Sequence, residues 1–171
     1  IKAWPEYGEA LYNRANTLKE LKRYDEALTG YDQALARRAD NADAFNNRGC
    51  VLHQLARYED ALASYERAFA IQTNHFDAII NYGIALKELQ RFDEAFAAFD
   101  RARSVRRDPA EAHLAVAEIR LLSGDFAAGW TKYEWRRRIA PHGNFNPDHD
   151  FQHSLWLGSE TLDGKTILLQ C

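Results

Sequence analysis

Cysteine and long apolar runs are scarce in this chain of 171 residues. The two cysteines, Cys50 and Cys171, lie too far apart in sequence to form a framework of disulfides, so a reducing cytoplasm is the expected location. No apolar run approaches the length that spans a bilayer, and no signal-peptide pattern is present. The chain begins at Ile1 rather than at Met, so the absence of a signal peptide is weak evidence about its location. We expect no membrane partner.

An excess of positive charge is also missing, because the formal net charge is −3. This charge argues against a general binder of nucleic acid or anionic membranes. The segment GWTKYEWRRR, residues 129–138, is basic and aromatic, a composition that can bind phosphate and stack on bases. It is better explained by tryptophans that pack on the next element and by arginines near a helix carboxyl end, where the macrodipole favours cations. We predict no nucleic-acid partner.

A repeat of constant length organises most of the chain. Four lines that start at Gly8, Ala42, Phe76 and Ala110 align without gaps. The eighth and twentieth columns are small: Ala15, Gly49, Gly83 and Ala117, then Ala27, Ala61, Ala95 and Gly129. The seventeenth and twenty-fourth columns are aromatic: Tyr24, Tyr58, Phe92 and Phe126, then Tyr31, Tyr65, Phe99 and Tyr133. Apolar residues at three- and four-residue spacing between these columns predict two amphipathic helices in each line.

Each line is therefore predicted to be a helical hairpin that cannot bury its apolar face alone and must stack on its neighbours. Small columns let the two helix backbones approach, and the large aromatics fill the gaps between hairpins. These columns resemble the tetratricopeptide repeat family over residues 8–138. The resemblance implies an all-α fold, a right-handed superhelix of helix-turn-helix repeats, here followed by an irregular linker and a short β segment.

The repeat also predicts where the domains lie. Pro5 stands where a preceding repeat would place its closing proline. The fourth line departs from the pattern, with His113 and Arg120 at columns that are usually apolar and Arg136 at one that is usually Ala. The predicted segments are 1–7 (tail of a truncated repeat), 8–41, 42–75 and 76–109 (three repeats), 110–138 (a divergent fourth repeat) and 139–171 (linker and first strand of a downstream domain).

The first helix of each repeat lines a concave groove in the family. By resemblance, the sixth column faces inward and holds Asn13, Asn47 and Asn81, which we call the asparagine ladder. An asparagine amide offers a donor and an acceptor, so the ladder can bind the backbone of an extended peptide, as in the similar superhelix of O-linked N-acetylglucosamine transferase. The alternative is a local capping or solvation choice. The predicted partner-binding residues are Asn13, Asn47, Asn81, Tyr12, Asn16, Asn46, Cys50, His53, Lys87 and Glu118.

The charges at the inward columns indicate the kind of partner. They are mostly acidic: Glu9, Glu20, Asp43, Asp77, Glu88, Glu111 and Glu118, against Lys19 and Lys87. This lining predicts a neutral or basic protein or peptide segment, although helix exteriors are also charged simply because they are solvated. Relatives that clamp the acidic tails of chaperones carry Lys or Arg at three inward columns, which here hold Tyr12, Asp77 and Asn81. We expect no such clamp.

Two segments contain residue types used in catalysis or metal binding. GSETLDGKT ends like a phosphate-binding loop, but five residues separate Gly158 from Gly164 instead of four, and the apolar strand follows Lys165 instead of preceding the loop. Residues 141–153 contain three histidines and two aspartates without a helical ligand frame, which favours a polar linker. We predict no catalytic residue, no metal and no cofactor, hence a scaffold and not an enzyme.

The end of the chain resembles bacterial proteins in which tetratricopeptide repeats precede a glycosyltransferase-like domain of two Rossmann halves. The matching residues are Gly129, Trp130, Tyr133, Glu134, Trp135 and Arg136, then Leu155, Trp156, Gly158, Leu162, Gly164, Lys165 and Thr166. Residues 167–170 would form the first strand, buried on both faces. The resemblance implies that this chain is the amino-terminal part of such a protein, whose catalytic residues would lie beyond Cys171. The alternative is a stand-alone adaptor capped by its last segment. An uncovered face on the first repeat also predicts self-association.

Overall fold

The computed structural model describes residues 5–107 and 109–133 of the chain. Over these residues the chain forms eight α-helices and no strand. Their bounds are α1 Pro5–Glu20, α2 Tyr24–Arg37, α3 Ala42–Gln54, α4 Tyr58–Ile71, α5 Phe76–Glu88, α6 Phe92–Val105, α7 Ala110–Leu122 and α8 Phe126–Tyr133. The predicted all-α class is confirmed for this part of the chain. The predicted linker and β segment at 139–171 lie outside the described residues.

The helices form two compact units, one holding α1 to α6 and the other α7 and α8. In the first unit α1 pairs with α2, α3 with α4 and α5 with α6, and each hairpin contacts the next. The first helices of successive hairpins also touch, α1 with α3 and α3 with α5. Side chains from α1, α3 and α5 therefore reach one another directly.

Each hairpin turns through the same three-residue connection. In the second hairpin the N–H of Arg57 donates to Leu52 O at 2.9 Å, and the N–H of Ala56 donates to His53 O at 2.9 Å, which is the Schellman pattern. The pattern recurs in the other three hairpins. It requires a left-handed residue, and this position holds Lys22 (φ 58°), Ala56 (φ 56°), Gln90 (φ 58°) and Gly124 (φ 84°). Of these four residues, only the glycine, Gly124, adopts the left-handed conformation without strain.

The starts of α3 and α5 are capped by side chains at equivalent positions of successive repeats. Asn41 Oδ1 accepts from the N–H of Ala44 at 3.0 Å, and His75 Nδ1 accepts from the N–H of Ala78 at 3.2 Å. Because Nδ1 of His75 is an acceptor, the ring hydrogen is on Nε2, which lies 3.1 Å from Asp43 Oδ1 and donates to it. The cap thus requires a neutral His75 and holds the side chain of Asp43.

In the second and third hairpins, the small residues of the eighth column make room for the aromatic rings of the twenty-fourth column and not for the backbone of the other helix. A Cβ on Gly83 would lie 2.6 Å from Cε1 of Phe99, and a Cβ on Gly49 would overlap the ring of Tyr65. The twenty-fourth column thus packs inside its own hairpin, where we had expected it between hairpins. In the first hairpin a Cβ on Gly30 would lie 2.9 Å from that of Ala15, so there the two helices do approach closely.

The second unit is the hairpin of α7 and α8. A Cβ on Gly129 would lie 2.6 Å from Cδ2 of Leu121, so the small twentieth column is required for these helices to pack. Trp130 rests edge-to-face on Tyr133, with ring centroids 5.5 Å apart. His113 is buried despite its place in a column that is usually apolar. Arg136 lies outside the described residues.

Candidate functional site

The candidate site is the groove face, the surface of the first unit that carries the asparagine ladder on α1, α3 and α5. Each helix contributes its residue at the same repeat position, so the constant period places Asn13, Asn47 and Asn81 one above another. Asn13 is exposed, and the other two are half-buried. The structure thus brings the ladder onto one continuous surface.

Hydrogen bonds tie the first two hairpins together at the ladder. Nδ2 of Asn47 donates to the hydroxyl of Tyr12 at 3.1 Å and to Oδ1 of Asn16, also at 3.1 Å. The same Oδ1 accepts a 2.6 Å hydrogen bond from the hydroxyl of Tyr31, which is fully buried on α2. Burial raises the pKa of Tyr31, so the hydroxyl keeps its proton and remains a donor.

The third hairpin joins by an equivalent set. Nδ2 of Asn81 donates to Oδ1 of Asn46 at 3.0 Å and lies 3.4 Å from Sγ of Cys50. Nδ2 of Asn46 is 3.4 Å from Oδ1 of Asn47, which links the two sets. We call these residues, with Tyr12, Asn16 and Tyr31, the amide network. It runs without a break through all three hairpins of the first unit.

The amide network decides which groups remain for a partner. Both hydrogens of Nδ2 are engaged in Asn47 and in Asn81, so neither amide can donate to a bound chain without breaking a bond between hairpins. Oδ1 of Asn81 and the whole amide of Asn13 make no hydrogen bond within the described part of the chain. The ladder therefore offers acceptors at Asn13 and Asn81, a remaining lone pair on Oδ1 of Asn47, and donors only at Asn13.

Negative charge dominates the groove face. The two lysines are each next to a glutamate, at 3.6 Å in Lys19–Glu20 and 3.6 Å in Lys87–Glu88. Glu9 and Asp77 are exposed and have no ion-pair partner among residues 5–107 and 109–133. Their charge is consequently available to a binding partner.

An open cavity of about 470 Å³ lies at the amino-terminal ends of α1 and α3. It is lined by Glu9, Tyr12, Asn13, Arg38, Asp40, Asn41, Ala42, Asp43, Ile71 and Gln72. Among the described residues of this lining, Arg38 is the one cation, and it pairs with Asp40 at 3.2 Å. This end of the groove face thus combines carboxylates, the free amide of Asn13 and a tyrosine ring.

Two predicted site residues are poorly suited to chemistry. Burial raises the pKa of the Cys50 thiol, so it is protonated at neutral pH and a weak nucleophile. Burial lowers the pKa of His53, whose ring stands edge-on to Tyr58 at 5.2 Å between centroids. Nε2 of His53 is buried and has no hydrogen-bond partner within the part of the chain that the structure describes. His53 therefore acts as a packing group, whereas Cys50 accepts from Asn81 in the amide network.

The remaining predicted residues fall in two places. Lys87 lies on α5 in the groove face, whereas Glu118 lies on α7 in the second unit and is half-buried. Two buried tyrosines were not among the predicted site residues: Tyr31 and its counterpart Tyr65 on α4, whose hydroxyl interacts with Cys50.

A sequence signal for these tyrosines exists. In the first two repeats the twenty-fourth column is a tyrosine, Tyr31 or Tyr65, and the ninth column of the same repeat is a residue that can hydrogen-bond to its hydroxyl, Asn16 or Cys50. In the third repeat, Phe99 accompanies Ile84 at the same columns.

The described residues show neither a metal centre nor a membrane span. In residues 5–107 and 109–133, no three or more His, Cys, Asp or Glu side chains are grouped to hold a metal ion. None of the helices in these ranges is long and apolar enough to cross a bilayer.

Comparison with known families agrees with this architecture. Two tetratricopeptide repeat models match the chain, one over residues 6–74 and the other over residues 52–119. The fold is thus that of helical-repeat scaffolds, which bind other proteins and have no catalytic centre of their own. The chain belongs to the tetratricopeptide repeat family. No curated protein matches the sequence.

Several solved structures share the fold. The Arabidopsis OM64 tetratricopeptide repeat domain is 25% identical, with a TM-score of 0.65 over 68% of this chain and 96% of its own. The first such domain of Spaghetti (RPAP3), bound to the HSP90 peptide SRMEEVD, is 21% identical, with a TM-score of 0.67 over 71% of this chain and 96% of its own. MamA is 18% identical, with a TM-score of 0.71 over 82% of this chain and 85% of its own.

Proposed function

We propose that the groove face binds an extended segment of a protein or peptide partner, and that the chain serves as a scaffold in the cytoplasm. Tetratricopeptide repeats mediate protein–protein interaction, and a structural neighbour holds a peptide. The observation that carries the proposal is the amide network, which engages the donors of Asn47 and Asn81 and leaves oxygen lone pairs on these amides for a partner. The scarcity of cysteine supports the cytoplasmic location.

The partner segment is neutral or basic and rich in hydrogen-bond donors. The ladder oxygens accept hydrogen bonds from the N–H groups of a bound backbone. The carboxylates of Glu9 and Asp77, which are unpaired within the described residues, attract Lys or Arg side chains. Hydrogen-bond polarity and charge thus favour the same class of partner. These two properties have separate origins, because the hydrogen-bond polarity comes from Nδ2 atoms that are already engaged, and the charge comes from carboxylates without counter-charges among the described residues.

An acidic segment fits the groove face poorly. The peptide SRMEEVD, which the Spaghetti domain binds, ends in carboxylates. In this chain the three columns where relatives place clamping cations hold Tyr12, Asp77 and Asn81. Asp77 at such a column would repel a bound carboxylate.

The test is selection of partner peptides from a random library displayed on phage, with the whole chain as bait. We expect selected peptides to carry a net positive charge and to bind at least about tenfold more weakly to the double variant Glu9→Lys with Asp77→Lys. Both side chains are exposed and unpaired within the described residues, so the variant should fold. The peptide SRMEEVD serves as a probe that should not bind.

A matched control reverses two charges away from the groove face. Glu59 and Asp93 are exposed in the first turns of α4 and α6, so Glu59→Lys with Asp93→Lys changes the net charge equally. Binding should persist in this variant. Selection of acidic peptides, or an equal loss of binding in both variants, would contradict the proposal.

Asn13→Ala tests the ladder without disturbing the fold. The Asn13 amide makes no hydrogen bond within the described residues, unlike Asn47 and Asn81, whose removal also separates hairpins. We expect weaker peptide binding with an unchanged unfolding midpoint. Equal affinity would exclude Asn13 from the ladder's role.

We also propose that the chain is the amino-terminal part of a larger bacterial glycosyltransferase-like protein. The proposal rests on the sequence pattern at residues 129–136 and 155–166. The gene downstream of codon 171 should encode a glycine-rich loop within about thirty residues, as a nucleotide-binding first βα turn requires. A stop codon there would favour the stand-alone adaptor.

Self-association through α1 is proposed on the exposure of its outer face. Ala10 and Thr17 are exposed on α1, whereas their counterparts Ala44 and Val51 on α3 are fully buried. Tyr7 is also 56% exposed and Leu21 61%. Sedimentation should show a concentration-dependent association. A strict monomer at high concentration would refute it.

A further inference from the structure

Successive second helices of the first unit, α2, α4 and α6, leave two equivalent seams between them, away from the groove face. The first seam lies between α2 and α4 and is bridged by Arg48 of α3. Nε of Arg48 donates to Asp32 Oδ1 at 2.7 Å, and Nη1 donates to Ser64 Oγ at 2.6 Å. A guanidinium on an aliphatic stem therefore closes this seam.

The second seam lies between α4 and α6 and has no such bridge. At the positions equivalent to Asp32, Arg48 and Ser64 in the following repeat it holds Glu66, Tyr82 and Ala98. The Tyr82 hydroxyl donates to Glu66 Oε1 at 3.1 Å, but Ala98 provides no acceptor. An open cavity of about 560 Å³ remains there. Its walls are mostly apolar, formed by Phe69, Ile79, Tyr82, Ala97 and Ala98.

The two ends of this cavity differ in charge. Glu94, in the first turn of α6, and Glu66 line one end together with the Tyr82 hydroxyl. Glu94 is already paired with Arg91 at 2.6 Å, so Glu66 supplies the available negative charge at this end. Arg101 stands two turns further along α6, where it lies 4.4 Å above the ring of Phe69 and donates to Thr73 O at 2.7 Å. The cavity therefore has an acidic end, an apolar middle and a basic end.

The first seam shows that such a site accepts a further guanidinium. Arg67, the counterpart of Arg101, lies 5.5 Å above the ring of Phe45 while Arg48 binds Asp32 in the same seam. A cation at the Arg101 position is thus compatible with a second one at the acidic end. Glu66 corresponds to Asp32. Its Oε1 accepts one hydrogen bond from Tyr82, and the lone pairs that remain on Oε1 and Oε2 can accept from a further donor.

We propose that the second seam binds an arginine side chain of a partner protein. The aliphatic stem lies on Ile79 and Ala98, and the guanidinium binds Glu66, as Arg48 binds Asp32 in the first seam. Apolar walls and an acidic end match the two parts of an arginine side chain. This site is separate from the groove face and does not depend on the function proposed for it.

The test is an NMR titration of the isotopically labelled whole chain with N-acetyl-L-arginine N-methylamide, at constant ionic strength. The neutral citrulline analogue has nearly the same shape and is the matched ligand control. We expect saturable shifts at Phe69, Tyr82 and Ala97 with the arginine compound. Binding of the citrulline compound should be about tenfold weaker, because the charge-assisted bond to Glu66 is lost.

Three variants locate the site. Tyr82→Arg with Ala98→Ser recreates the first seam and should abolish the response, and Glu66→Gln should weaken it several-fold even if the double variant fails to fold. Asp32→Asn, in the first seam, should leave it unchanged. The proposal is overturned by equal responses to both compounds, by a response that persists in Tyr82→Arg with Ala98→Ser, by shifts at Asn13 instead, or by no saturable shift.

Discussion

The left-handed turn residue between the helices of each hairpin is a point of strain that one substitution can relieve. Ala56 has φ 56° and closes the Schellman turn after α3. An alanine in this conformation is destabilised by about 1–2 kcal/mol, because its Cβ approaches the following carbonyl oxygen. Glycine avoids this contact. The substitution Ala56→Gly is therefore expected to stabilise the folded chain.

Glycine also gains freedom in the unfolded chain, which offsets part of the effect by about 0.4–1 kcal/mol. The net expectation for Ala56→Gly is a stabilisation of about 0.5–1 kcal/mol. Gln90 has the same backbone conformation in a separate turn, with no hydrogen bond shared between the two turns. The effects of Ala56→Gly and Gln90→Gly should therefore add.

Urea unfolding followed by circular dichroism is the assay, with the slope and the midpoint fitted separately because repeat arrays do not always unfold in one step. The matched control is Ala63→Gly, the same change at an exposed alanine inside α4, which should destabilise by about 1 kcal/mol. Gly124→Ala should also destabilise by about 1 kcal/mol, since nothing lies within 4 Å of the added Cβ and only the backbone opposes it. A destabilising Ala56→Gly would refute the reasoning.

Other predictions concern packing, capping and pH. Gly49→Ala should destabilise by about 1–3 kcal/mol in urea unfolding because the new methyl overlaps the buried ring of Tyr65, whereas Gly8→Ala, with its nearest neighbour 3.4 Å away, should not. His75→Ala should lower stability by about 1 kcal/mol through loss of the α5 cap, and His75→Asn should restore most of it, as thermal melts would show. Burial lowers the pKa of His53 in the folded chain, so its contribution to stability is present above the unfolded pKa near 6.5 and is lost as the pH falls. Melts between pH 7.5 and about 5 should therefore fall less steeply in His53→Gln, and identical pH profiles would contradict this.

The spacing of small and aromatic residues was enough to predict the helical hairpins, because a ring such as Phe99 needs a residue as small as Gly83 across from it. That requirement recurs from one repeat to the next and is visible in sequence. The left-handed turns were not predicted, since Lys22, Ala56 and Gln90 carry no signal of that conformation. Only Gly124, in the fourth repeat, marks the position.

The predicted groove residues came from a column pattern, which indicates a shared face but not which atoms meet across it. Asn47 reaches Asn16 and Tyr12 because the hairpins are offset so that the sixth column of one lies against the fifth and ninth of the one before. This offset depends on how the hairpins pack. The consequence for binding, that the ladder donors are already engaged, could not be read from the period alone.

The amide network makes the groove face part of the mechanical coupling between hairpins. A guest that spans Asn47 and Asn81 adds its own bonds across the boundary between the second and third hairpins, which Asn81 already bridges, and so strengthens the contact between these two neighbours in the linear array. The array would then resist stretching more when occupied, without a change of shape. Single-molecule pulling should record this as a higher force for separating the second hairpin from the third, and an unchanged force would show that the guest rests on one hairpin only.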